Sequence, residues 1–168
     1  MIETNRLILK PLTYQQLQKY CTNDTSLELE LELQPIPREI SLELKEALEQ
    51  VILPAVADTS KNYLYYTLWT IILKKSNQLV GDLCFVGEPT PEGEVEIGYG
   101  TYEPFRKRGY MTEAVQGMLT WVRQQPLLTT VIASTNKDNI ASHSVLEKNN
   151  FHKIDENETL FYWQLLIT

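Results

Sequence analysis

The chain has 168 residues, 43% apolar and 22% charged, which excludes disorder and fits about one domain with a real hydrophobic core. Seven Gly and eight Pro exclude collagen-like and low-complexity chains. Fifteen basic residues against twenty-two acidic give a net charge of −7, which argues against a general nucleic-acid or anionic-membrane surface and would suit a cationic partner.

The opening residues, Met1 to Leu7, carry charge where a signal peptide needs a continuous apolar stretch. The longest apolar-rich run, Leu64 to Leu73, is far short of the ~20 residues of a membrane span. Two cysteines, Cys21 and Cys84, make no disulfide framework and read as core residues. With two histidines, His143 and His152, both expected on the surface, no metal site is expected. The chain reads as a soluble cytoplasmic protein without a membrane segment.

In chain order, residues 5–10 read as a strand broken by Pro11, and Thr13 can cap a helix whose apolar face holds Leu17, Tyr20 and Cys21. Residues 27–33 alternate Leu and Glu. That period suits a strand while the residue types suit a helix, and the choice stays open. Apolar residues at 40, 44, 47, 48, 51 and 55 predict a helix over 40–57, kinked or ended by Pro54. Strands follow at 63–74, 79–86 and 94–99. Met111, Ala114, Val115, Met118, Leu119 and Val122 share one face of a helix that stops before Pro126. A strand at 128–134, a helix at 140–148 and a strand at 160–167 complete the chain. The order mixes an antiparallel meander with later β-α-β-α-β units. It predicts one α+β domain, 1–168, on a single mixed, mostly antiparallel sheet flanked by helices. Trp69, Trp121 and Trp163 are expected in the core, and one or two of Tyr63, Tyr65 and Tyr66 at a groove.

Three stretches carry chemistry. Arg106-Lys107-Arg108-Gly109-Tyr110-Met111-Thr112 follows a strand and opens a helix. Unpaired helix N–H groups, a glycine for close approach and three basic side chains suit a phosphate, although neither GxxxxGK[ST] nor GxGxxG is present. A solvated basic turn is the bland alternative. On strand 94–99, Glu96, Gly98 and Gly100 share one face. Two glycines leave a groove for a ligand, and a carboxylate beside it can act as general base. Asn139 is a plausible N-cap with Ser142 at the third helical position, and Asn150 sits where a left-handed C-cap residue belongs, with Phe151 packing back on Val145 or Leu146.

Together these motifs resemble the GNAT superfamily of acetyl-CoA-dependent N-acetyltransferases, nearest its ribosomal-protein N-terminal acetyltransferase (RimJ/RimL-type) branch. The resemblance rests on Glu3-Thr-Asn-Arg-Leu-Ile-Leu9, Glu96-Ile-Gly-Tyr99, Arg106-x-x-Gly-Tyr-Met-Thr-Glu-Ala114 and Asn139-x-x-Ser-x-x-Val-Leu-Glu-Lys-x-x-Phe151, in that order and spacing. It covers nearly the whole chain, least well between Asn23 and Asn62. It implies the acyl-CoA N-acyltransferase fold and acetyl-CoA as cosubstrate, with the pyrophosphate on the backbone of residues 106–111. Gly98, Tyr99, Gly100 and Thr101 would pair with the pantetheine. Asn139 and Ser142 would lie near the pantetheine arm or thiol. A primary-amine acceptor, a protein N-terminus on the branch resemblance, would enter over segment 23–60. Glu96 is the expected base, and Ser142 the group near the leaving thiolate.

Three positions depart from the family pattern. Lys107 stands where a second glycine is common, and Asn150 where a glycine precedes Phe151. Leu146 replaces a Tyr that many members use to protonate the leaving thiolate. That last departure keeps open a non-catalytic acyl-CoA-binding or interaction module. A ribosome-docking role would need a patch built from Lys10, Lys19, Arg38 and Lys45. Homodimers are common in such families, and an exposed Leu-rich segment at 27–33 would contribute.

Overall fold

The structure, a computed structural model, describes residues 1–168. Eight strands form one sheet: β1 (Ile2–Glu3), β2 (Leu7–Pro11), β3 (Leu68–Leu73), β4 (Gln78–Phe85), β5 (Glu94–Thr101), β6 (Thr130–Asn136), β7 (His152–Glu156) and β8 (Leu160–Leu166). Their spatial order is β1-β2-β3-β4-β5-β6-β8-β7. Every neighbouring pair is antiparallel except β5 and β6. This is the mixed, mostly antiparallel α+β sheet expected, with β1 and β7 added. Neither carries a sequence signal: β1 is a two-residue strand, and all five side chains of β7 are exposed, so no apolar alternation marks it.

The helices are α1 (Tyr14–Thr22), α2 (Ser26–Glu30), α3 (Leu42–Ala47), α4 (Leu53–Ala57), α5 (Tyr110–Val122) and α6 (Ile140–Lys148). Helices α5 and α6 close one face of the sheet over Leu7, Leu9, Ile71, Leu83, Val95 and Ile97. The first four helices cover the other face, where Leu17, Tyr20, Leu27 and Leu48 meet Leu68, Ile72 and Leu79. Each fully buried Leu stabilises by about 1.5–3 kcal/mol.

Several local expectations change. Segment 27–33 resolves as helix only to Glu30 and then as a turn through Glu32 at φ +55°, with Leu27 and Leu33 buried and Leu29 largely exposed, so it offers no Leu-rich interface. The helix over 40–57 is neither ended nor broken at Pro54. A π turn at Leu48–Ile52, in which Leu53 N–H reaches Leu48 O, joins α3 to α4 and accommodates the missing proline N–H. Residues 63–65 form a single 3-10 turn rather than strand, because the Asn62 side chain caps Leu64 N–H. Tyr65 then turns into the core against Phe85 and Trp121, while Tyr63 is exposed.

Two contacts set where the start of α5 lies. Glu113 accepts from Thr4 Oγ1 at 2.6 Å, from Arg6 N at 2.7 Å and from Arg6 Nε. Arg6 Nη1 also donates to Arg108 O at 3.0 Å, and its guanidinium stacks 4.8 Å from the Tyr110 ring. The N-terminal strands are thereby stapled to the loop and first turn of α5, where an acidic side chain also suits the helix dipole. Gly117 permits the approach: a Cβ there would lie 2.7 Å from Thr4 Cγ2. Burial works to raise the Glu113 pKa, but the bonds from Thr4 and Arg6 outweigh it and hold the carboxyl below its ordinary value.

A folded pKa below the unfolded one stabilises above the unfolded value and loses that contribution as pH falls through the folded value. The stability gap between wild type and Glu113→Gln, measured by urea unfolding, is therefore widest near neutrality and narrows below the ordinary pKa of 4.5. At the sheet, a Cβ on Gly81 would sit 2.4 Å from Gly100 O, whereas one on Gly100 meets nothing within 4 Å. Gly81→Ala should cost about 1–3 kcal/mol in the same assay. Gly100→Ala should stay within about 0.5 kcal/mol.

Candidate active site

Strands β5 and β6 pair only from Glu94↔Thr130 to Glu96↔Ile132. Beyond that point β5 stays with β4 as far as Thr101, and β6 stays with β8 as far as Asn136. The sheet therefore opens into a V, and the β5 edge facing β6 has no strand partner from Ile97 onward. A cavity of about 630 Å³ fills the opening. It is lined by Tyr99, Gly100 and Thr101 of β5, by the 105–109 loop, by Tyr110, Met111 and Thr112 of α5, and by Asn139, Ser142 and neighbours on α6.

The loop is built for an anion. Lys107 has φ +61° and Gly109 φ +77°, flanking Arg108 with left-handed residues. Alternating handedness turns successive amides to one side. No acceptor in the protein takes the backbone N–H of any residue from Lys107 to Thr112. Those groups include the first turn of a thirteen-residue helix, where the dipole places about half a positive charge. Lys107 thus takes a left-handed backbone that a glycine adopts without strain. Arg106 is held by Nε to Thr101 O at 3.2 Å, which ties the loop to the end of β5.

Of the residues expected at the site, Tyr99, Gly100, Arg106 to Thr112, Asn139 and Ser142 all line this cavity. Glu96 and Gly98 precede Tyr99 on β5 and are not among the residues that line it. Glu96 occupies the last paired position before the V opens and accepts from Ser134 Oγ at 3.1 Å. Gly98 lies opposite Cys84, whose Sγ would be 3.6 Å from an added Cβ. Burial, with the charge of Asp82, pushes the Cys84 thiol up to about 11 and leaves it protonated. Asn139 caps α6 through Ser142 N–H at 3.2 Å, and the Tyr99 hydroxyl donates to Ser142 O at 3.2 Å across the V. Burial, offset in part by that bond, pushes Tyr99 up to about 12, so it remains a donor.

Sequence reasoning missed Ala141, Ser144, Val145 and Lys148, which line the cavity from α6. Their i, i+3, i+4, i+7 spacing is a helix-face signal that could have found them. Leu146 is fully buried beneath α6 and presents no donor to the cavity. Asn150 takes the left-handed conformation at φ +64°, and Phe151 N–H returns to Leu146 O. His143 is buried rather than exposed. Its Nε2 lies 3.0 Å from Asn136 O, and its ring packs against Phe161 and Trp163 because β8 crosses beneath that face of α6. Of the four residues of the basic patch, Arg38 is enclosed against Glu28 and Lys19 is paired with Glu30. No group of three or more His, Cys, Asp or Glu side chains is placed to hold a metal ion, and no helix is long and apolar enough to cross a membrane.

Known proteins match this arrangement. The chain is 33% identical over 97 residues to "Uncharacterized N-acetyltransferase YjdG" of Bacillus subtilis (strain 168), covering 56% of this chain and 58% of that relative's length. A ribosomal-protein-S5-alanine acetyltransferase from Vibrio fischeri superposes with a TM-score of 0.70 at 16% identity, over 98% of this chain and 95% of that one. RimL, a ribosomal L7/L12 alpha-N-protein acetyltransferase solved in complex with coenzyme A, superposes with a TM-score of 0.67 at 17% identity, over 98% and 96%. The family described as "Acetyltransferase (GNAT) domain" matches residues 6–152. The chain belongs to the GNAT acetyltransferase family.

Proposed function

We propose that this protein transfers the acetyl group of acetyl-CoA to a primary amine, a protein N-terminal amine above all, by direct attack in a ternary complex. The reading treats residues 1–168 as one catalytic unit working in the cytoplasm, with no nucleic-acid partner. One observation carries it: a run of unpartnered backbone amides, Lys107 to Thr112, heads a cavity whose floor is an unpaired strand edge. A pyrophosphate suits the first and an amide-bearing pantetheine arm suits the second. The coenzyme-A complex of RimL supports the same choice of cosubstrate.

Bound acetyl-CoA supplies the thioester carbonyl, and the chain's residues do the rest. The amides and the β5 edge hold the two reactants together, a contribution that can reach about 7 kcal/mol or more of the barrier. A backbone N–H near Gly98 to Tyr99 stabilises charge growing on the carbonyl oxygen. Glu96, directly or through a water, takes a proton from the amine as nitrogen bonds to the carbonyl carbon. As the carbon–sulfur bond breaks, Ser142 donates a hydrogen bond to the leaving thiolate. With Leu146 buried, the chain lacks the phenol that many relatives use there, and this alone favours the alternative of an acyl-CoA-binding module without turnover.

Calorimetric titration of acetyl-CoA should show one-to-one binding, weakened at least tenfold in Arg106→Ala/Arg108→Ala. No binding to folded protein overturns the reading. Glu96→Gln should lower kcat by about 10²–10⁴-fold with acetyl-CoA affinity nearly unchanged. Unaltered turnover removes Glu96 from the chemistry. Ser142→Ala, which removes no hydrogen bond from the α6 cap, should lower kcat while leaving the urea midpoint in place.

A further inference from the structure

The cavity between α5 and α6 runs against the charge of the chain. Its lining includes Arg106, Lys107, Arg108 and Lys148 and no acidic side chain, in a protein whose net charge is −7. Arg106 is tied to Thr101 O. The side chains of Lys107, Arg108 and Lys148 are exposed and make no ion pair. Like charges left together at one cavity repel, and an anion between them relieves the cost. Lys107 and Arg108 belong to the loop before α5, but Lys148 comes from α6, a separate element.

A contact between the two helices sets where Lys148 stands. Buried Asn149 donates through Nδ2 to Thr112 O at 3.2 Å and to Val145 O at 2.9 Å. The C-terminal end of α6 is thereby fastened to the first turn of α5. Nearer its N-terminus, α6 meets β5 through the bond from Tyr99 to Ser142 O. The cavity therefore has a head, at the unpartnered amides of residues 107–112, and a fork end, at Tyr99 and Ser142. Lys148, the residue before Asn149, stands at the head. A cation there also suits the C-terminal dipole of α6, but that role asks nothing of the cavity.

We infer that Lys148, with Lys107 and Arg108 on the loop, binds the phosphomonoester that coenzyme A carries on its ribose, and that this lysine selects the phosphorylated cosubstrate over its dephospho form. The inference rests on the acetyl-CoA reading and adds a second phosphate site to it. With the pantetheine arm on the open β5 edge, the nucleotide leaves the amides at the head of the cavity, where the free cations are. A phosphomonoester carries about −1.5 to −2 charges near neutrality. Lysine meets it as a point charge on a flexible stem, which demands no fixed geometry.

The test is calorimetric titration of coenzyme A and of 3′-dephospho-coenzyme A into the full chain. Wild type should bind coenzyme A about five- to tenfold tighter at low salt, with the preference shrinking as salt rises. Lys148→Gln should cut that ratio about threefold or more, by weakening coenzyme A while leaving the dephospho form nearly unchanged. Lys148→Arg keeps the charge and should keep most of the ratio. Lys75→Gln, which removes equal charge from the turn between β3 and β4, should leave the ratio intact. Equal affinities in wild type, or a ratio untouched by Lys148→Gln, overturn the inference and leave the acetyl-CoA reading standing. A Lys148→Gln variant that weakens both ligands alike, or that lowers only the urea midpoint, makes the lysine a helix-end charge and also overturns it. No binding of either ligand to folded wild type overturns both readings.

Discussion

The structure depends on one interruption of backbone pairing. Two parallel strands, β5 and β6, share a short ladder and then part, each kept in place by an antiparallel neighbour on its outer side. A polar strand edge inside a protein needs hydrogen-bond partners, so an edge left open this way is a site for a ligand that can act as the next strand. The loop to α5 leaves from the end of the open strand, which brings a helix N-terminus to the mouth of the same gap. Strand edge and helix end thus offer backbone donors along one continuous path.

Holding that gap open takes contacts from distant parts of the chain. The Thr4, Arg6 and Glu113 cluster fixes the first turn of α5 from one side. On the other side, Tyr20 and Tyr102 meet on Asp82, which ties α1 and β4 to the residue just past the open strand. Tyr102 N–H also bonds Val80 O, so the strand end is held by backbone and side chain together. Buried charged and polar groups of this kind cost desolvation, and their gain is a defined geometry rather than raw stability. The site they position relies mostly on backbone groups, which suits the transfer proposed above, where positioning is the main requirement.

Much of this was legible in the sequence where the signal is local. The Gly109 turn, the Asn139 cap and the left-handed Asn150 each follow from a residue type and its immediate neighbours, and each stands where expected. The cavity-lining residues at 106–112 were legible for the same reason as a candidate anion site, although a solvated basic turn has the same local pattern and only the fold sets the loop at a cavity. Less legible were Ala141, Ser144, Val145 and Lys148, because a helix stripe does not say which of its faces meets a cavity and which a core.

The sequence by itself determined the alternation of elements, the helix ends and the loop chemistry, because capping, turn preference and hydrophobic period act within a few residues. Only the tertiary structure decided that segment 23–60 covers the face bearing Glu96. The same holds for the buried position of His143 against Phe161 and Trp163, and for the pairing of Arg6 with Glu113 across more than a hundred residues of chain. Those outcomes depend on which surfaces meet when the sheet forms, and sheet register is a long-range property that no local pattern encodes.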